Sequence, residues 1–112
     1  MYHLNRHELE QISLINGTCS SRTEYMEAVA KAIGVRTRDV RHGLKVMTGI
    51  ILDEHTHLDI TCRTTNGQMA IKSIEVYHCE KMESGAWYQE EDRFTWKKGQ
   101  WSKAHWESEG RA

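Results

Sequence analysis

The sequence predicts an α+β fold: N-terminal helices, paired as a helix hairpin, packed on a small antiparallel β-sheet. Two observations carry this. Apolar residues recur at helical spacing through residues 1–53, then at period two through residues 56–101. An Asn-Gly pair, Asn66-Gly67, sits between two alternating segments, where it marks a hairpin turn. With 112 residues the chain has the size of a single domain. Residues 102–112 are polar and read as a short helix or a frayed tail.

The first helix runs from Asn5 to about Ile15. Asn5 and Glu8 have capping-box spacing, and Leu4, Leu9 and Ile12 share a stripe. Asn16-Gly17 stops it, since both residues tolerate the left-handed conformation. The second helix opens on Ser21-Arg22-Thr23-Glu24, buries Tyr25, Met26, Val29, Ala30 and Ile33, and ends at Gly34. Thr37 then caps a third helix, along which Val40, Leu44, Met47 and Ile51 form the stripe. Gly43 and Gly49 each cost roughly 1 kcal/mol against Ala there, which points to close packing on another backbone.

Leu58, Ile60 and Cys62 alternate with polar residues and mark a half-buried strand. Beyond the Asn66-Gly67 turn, Met69 and Ile71 alternate, but the next apolar pair is Ile74 and Val76. That one-residue slip near Lys72-Ser73 is a β-bulge. Trp87-Tyr88 and Phe94 to Trp96, around an acidic turn Glu90-Glu91-Asp92, make a second hairpin.

Composition excludes several classes. Lys+Arg is 15 against Asp+Glu 16, so nucleic-acid binding requires local basic patches rather than a cationic chain. No apolar run approaches the ~20 residues of a spanning helix, and the first residues show no secretory h-region. Cys19, Cys62 and Cys79 then read as reduced thiols of a cytoplasmic protein.

The stretch Ser21 to Met47 carries Thr23-Glu24, Ala28-Val29-Ala30, Gly34-Val35, Arg38-Asp39 and Leu44. At this spacing it resembles the helical half of the HU/integration host factor family of histone-like DNA-binding proteins. The resemblance covers about a quarter of the chain. It implies a helix-swapped homodimer and DNA binding. The family's arms are rich in Arg and Lys and carry a proline at the tip. This chain contains no proline, so DNA bending is not implied.

Two clusters of cations stand out. Arg36, Arg38, Arg41 and Lys45 lie together with only Asp39 among them, and Arg93, Lys97, Lys98 and Lys103 lie together with no acid among them. Both suit phosphate contacts, and both also suit an ordinary solvated face. Trp96, Lys97, Lys98, Trp101 and Lys103 interleave aromatics with cations, the pattern of base stacking combined with backbone tracking. The same aromatics suit a protein interface or a tryptophan-closed core.

His55, His57, Cys62 and His78 are possible zinc ligands, although the spacing is that of no known finger. The neighbouring Cys79 points away from His78 on a strand. No cofactor is assigned. No phosphate loop, nucleophile elbow or His-Glu-x-x-His occurs, and Asp53, Glu54, His55 and Asp59 allow only a generic acid–base scheme. The expectation is a small non-enzymatic, HU-like nucleic-acid-binding protein. Arg36, Arg38, Arg41, Lys45, Lys97, Lys98 and Lys103 contact phosphates, and Trp96 and Trp101 stack. The alternative is a protein–protein interaction module, of phage or regulatory type. Either way a homodimer is expected, because a helix hairpin on so small a chain leaves an apolar seam to cover.

Overall fold

The computed structural model describes residues 3–42 and 45–110. Helices α1 (Arg6–Ile15) and α2 (Arg22–Ile33) precede six strands: β1 (Arg36–His42), β2 (Lys45–Asp53), β3 (Thr56–Thr65), β4 (Gln68–Lys81), β5 (Trp87–Lys97) and β6 (Gln100–Gly110). The strands form one antiparallel meander in the order β1-β2-β3-β4-β5-β6.

The fold is therefore dominated by its sheet. This corrects the expectation of a helical half packed on a small sheet: the described residues hold two helices, of 10 and 12 residues, and strand begins at Arg36 rather than near residue 56. The third helix is replaced by the β1–β2 hairpin. Thr37, Val40, Val46, Thr48, Ile50 and Ile51 are β-branched, stiff at χ1 and suited to a pleated surface. The helical cost of Gly43 and Gly49 pushes the same way. Gly43 and Leu44 lie outside the described residues. The helix that the HU-type resemblance requires after Gly34 is thus a strand. The end of the chain is also strand, since β6 pairs with β5 from Gln100 to Gly110.

Local signals hold elsewhere. The α1 capping box is complete: the Glu8 amide donates to Asn5 Oδ1 (2.8 Å) and the Asn5 amide to Glu8 Oε1 (3.0 Å). Ser21 caps α2 by accepting from the Glu24 amide (3.2 Å), and Gly34 ends it in the left-handed region. Asn66 and Gly67 both have positive φ, as a type I′ turn requires. The β3–β4 register slips between Thr61 and Cys62, opposite Lys72, where the bulge was expected.

The helices cover one face of the sheet. Ile12, Tyr25, Met26 and Val29 are buried against Ile50, Leu58, Ile60, Ile71, Ile74, Val76 and Phe94. The apolar seam of the helix pair is therefore covered by the chain's own sheet and needs no second subunit. The α1–α2 connection is stitched to the upper part of β4. The Gly17 amide donates to the Met69 carbonyl, the Met69 amide to the Cys19 carbonyl, and the Ile71 amide to Asn16 Oδ1. β2 meets β3 only between Ile50 and Asp53. Beyond that point Arg22 serves β3, donating from Nε to the Ile60 carbonyl (3.0 Å) while its guanidinium pairs with Asp59.

Candidate functional site

In a simple meander alternate turns fall at the same end. The β1–β2, β3–β4 and β5–β6 turns lie at one end of this sheet, and the β2–β3 and β4–β5 turns at the other. The first end gathers cations: Arg41 and Lys45 from the first hairpin, with Arg38 and Asp39 further down β1, Arg63 and Lys72 from the second, Lys97 and Lys98 from the third. The second is richer in acids: Asp53 and Glu54 at one turn, Glu80 and Glu83 around the other with Lys81 between them, and Glu109 near the end of β6, with Glu90 and Glu107 a few residues further along their strands. A chain of near-zero net charge is thus strongly polarised along its strands.

The expected basic site is redistributed. Arg36 and Arg38 are exposed on β1, on the sheet face away from the helices, and Arg36 sits low on the strand, at the level of His57 and Tyr77. Arg41 pairs with Val46 and Lys45 with His42 in the β1–β2 ladder, and their side chains lie outside the described ones. Lys97 and Lys98 are exposed at the β5–β6 turn, where Lys98 and Gly99 both have positive φ.

Arg93 and Lys103 leave the patch. Arg93 pairs with Glu91 (3.3 Å) and Glu75 (3.8 Å) and lies 5.2 Å from the Trp106 ring. Lys103 Nζ lies 3.8 Å from the buried Asp92 carboxylate and over the Phe94 ring. Trp96 and Trp101 face each other across the turn with ring centres 4.9 Å apart, and both are part-buried against the core. They pack against the core beside α1 and also line, with Arg6, Glu10 and Ser13, an open groove of about 560 Å³; the Trp101 indole N–H is buried with no acceptor among the described residues.

The possible zinc ligands do not converge. His55 and His78 pack edge to face with ring centres 6.0 Å apart, but His57 stacks on Tyr77 on the open face, and Cys62 is further along β3, opposite Ile71. Among the described residues no three His, Cys, Asp or Glu side chains are grouped to hold a metal.

Sequence reasoning missed a carboxylate–imidazole cluster on the helix face of β4, β5 and β6. The stretch Glu90-Glu91-Asp92 is not a turn but the middle of β5. Alternation therefore puts Tyr88, Glu90 and Asp92 on one face, beside His105 and Glu107 of β6. His105 Nδ1 is 2.5 Å from Asp92 Oδ1, and Tyr88 Oη donates to Glu90 (2.5 Å) and Glu107 (2.9 Å). The hydrogen bond to Asp92 raises the His105 pKa, and the bond to Glu90, followed by burial, raises that of Tyr88. Next to it Thr56 Oγ1 and His78 Nδ1 are 2.8 Å apart, and His78 Nε2 lies 3.3 Å from Glu80. The period-two spacing of Tyr88, Glu90 and Asp92 was the signal available.

On the opposite face His57, Tyr77, Glu91 and Trp106 line a groove of about 540 Å³. Among the described residues no helix is long and apolar enough to cross a membrane. No protein-family model, curated protein or solved structure matches this chain.

Proposed function

We propose that the end of the sheet bearing the β1–β2, β3–β4 and β5–β6 turns binds the phosphate backbone of nucleic acid, in a non-enzymatic role and without an HU-type helix hairpin. One observation carries the reading: three hairpins bring Arg41, Lys45, Arg63, Lys72, Lys97 and Lys98 towards one end with Asp39 the one acid of their strands there, while the turns at the other end are mainly acidic. Among the described residues no ion pair engages Arg63, Lys72, Lys97 or Lys98, so their charge is available to an outside anion. Polarisation also orients the approach, because the acidic end is repelled from the polyanion. The contacts are to phosphates, so binding is sequence-tolerant and weakens steeply with salt.

The test is a gel-shift titration on double- and single-stranded DNA at two salt concentrations. Replacing Lys97 and Lys98 by Ala lowers affinity for every sequence and reduces the slope of log affinity against log salt by about 2. Unchanged affinity in that variant, or no shift by the parent protein at low salt, overturns the reading. The acidic, aromatic groove of His57, Tyr77, Glu91 and Trp106 favours a protein partner as a second reading, one in which binding survives the lysine substitutions and is lost on Trp106→Ala.

A further inference from the structure

β6 is the last strand of the sheet, and among the described residues no strand pairs with its outer side. It is 11 residues long, and Ser102 to Gly110 are all exposed. An edge of this length is a template for another strand unless something blunts it.

The charge order along β6 is antisymmetric about Trp106. Lys103 and His105 precede it, and Glu107 and Glu109 follow at the mirrored positions. All four share the helix face, and Trp106 stands on the other, 49% exposed. The two-residue turn Lys98-Gly99 makes Lys97 and Gln100 a hydrogen-bonded pair. Alternation along the ladder then turns the backbone N–H and C=O of Lys103, His105, Glu107 and Glu109 outward.

We propose that two copies of the chain join by antiparallel pairing of their β6 strands about Trp106, continuing the sheet across a twofold axis. In this register Lys103 faces Glu109 of the partner subunit, and His105 faces Glu107 of the partner subunit. Trp106 meets Trp106 of the partner subunit, an aromatic cross-strand pair with Arg93 stacked behind it. A strand whose charges invert about its centre is complementary to itself when run antiparallel, and this is why the second copy is the fitting occupant. Neighbouring registers lose the match. Centring on His105 keeps Lys103 against Glu107 of the partner subunit but sets His105 against its own copy and leaves Glu109 without a cation opposite, and centring on Ala104 sets Lys103 against His105. The twofold turns the partner end for end, so each end of the dimer carries the basic turns of one copy beside the acidic turns of the other, and the β6 pairing leaves the β5–β6 turn itself uncovered.

Sedimentation equilibrium of the full chain tests the proposal. The parent protein sediments as a dimer of 13.1 kDa chains. Glu109→Lys sets like charges opposite each other twice and raises the dimer Kd about tenfold or more, and adding Lys103→Glu restores the parent value. Lys103 also lies beside Asp92, so a second measurement avoids it. In a Cys79→Ser background, Trp106→Cys is oxidised to a covalent dimer across the twofold, whereas Ser108→Cys is not. A monomeric parent protein, a dimer indifferent to Glu109→Lys, or no preference for the Trp106→Cys crosslink overturns the proposal.

Discussion

The two outer strands of the sheet handle their exposed edges in opposite ways. β1 carries Arg36, Arg38, Arg41 and His42 around a single Asp39, so two such edges repel each other. β6 carries Lys103 and His105 before Trp106 and Glu107 and Glu109 after it, an inverted order complementary to its own copy. Their anchoring differs as well. β6 is laddered to β5 along its whole length, whereas β1 and β2 join the rest of the sheet only between Ile50 and Asp53. One edge is therefore mostly cationic and joined to the rest of the sheet over a short stretch. The other is charge-balanced and rigidly held, suited to a second subunit. The order of charge along a strand, more than its total, decides what the edge meets.

The largest expected effect comes from removing the group that holds β6 in place. The Asp92 side chain is 1% exposed and accepts from His105, with Lys103 and His3 close by. Asp92→Ala costs about 1–3 kcal/mol in urea unfolding, because the cations it leaves behind can turn to solvent. A loss below about 0.5 kcal/mol would mean that β6 is held by its backbone ladder alone.

The next effect is a pH dependence confined to the β6 edge. The Asp92 hydrogen bond lifts the His105 pKa above its ordinary 6.5. A raised folded value stabilises the protein fully below the unfolded pKa, and that stability fades as pH climbs through the folded one. NMR titration of His105 is expected to show a midpoint above 6.5, returning towards it in Asp92→Asn. A midpoint at 6.5 in the parent protein would refute the coupling.

The smallest effect separates fold from binding at the basic end. Lys98 holds a positive φ that suits Asn better, so Lys98→Asn creates an Asn-Gly turn and stabilises by a few tenths to about 1 kcal/mol. The same change removes one cation and weakens DNA binding. A variant that is more stable and binds as well as the parent would take Lys98 out of the interface.

Features that depend on a few consecutive residues were legible in the sequence. The Asn5–Glu8 box, the Ser21 cap, the Gly34 stop, the Asn66-Gly67 turn and the bulge at Lys72 are each set by local backbone chemistry. Residues 36–51 misled because Val40, Leu44, Met47 and Ile51 fit a helical stripe while the β-branched residues around them fit a strand. β6 was invisible for a different reason: a strand almost wholly exposed has no apolar face to betray its period. The candidate site was legible only in part. Lys97 and Lys98 stand where the cation count placed them, but Arg93 and Lys103 are claimed by carboxylates on neighbouring strands.

Taken alone, the chain of residues determined the caps of α1 and α2, the Asn66-Gly67 turn, and an inventory of cations, acids and tryptophans in a fixed order. Tertiary structure decided which of those charges remain free and which way they point. The physical reason is range: caps and turns are settled within a few bonds, whereas charge sorting along the strands and pairing across β5 and β6 exist only once the meander brings distant segments within about 5 Å of one another.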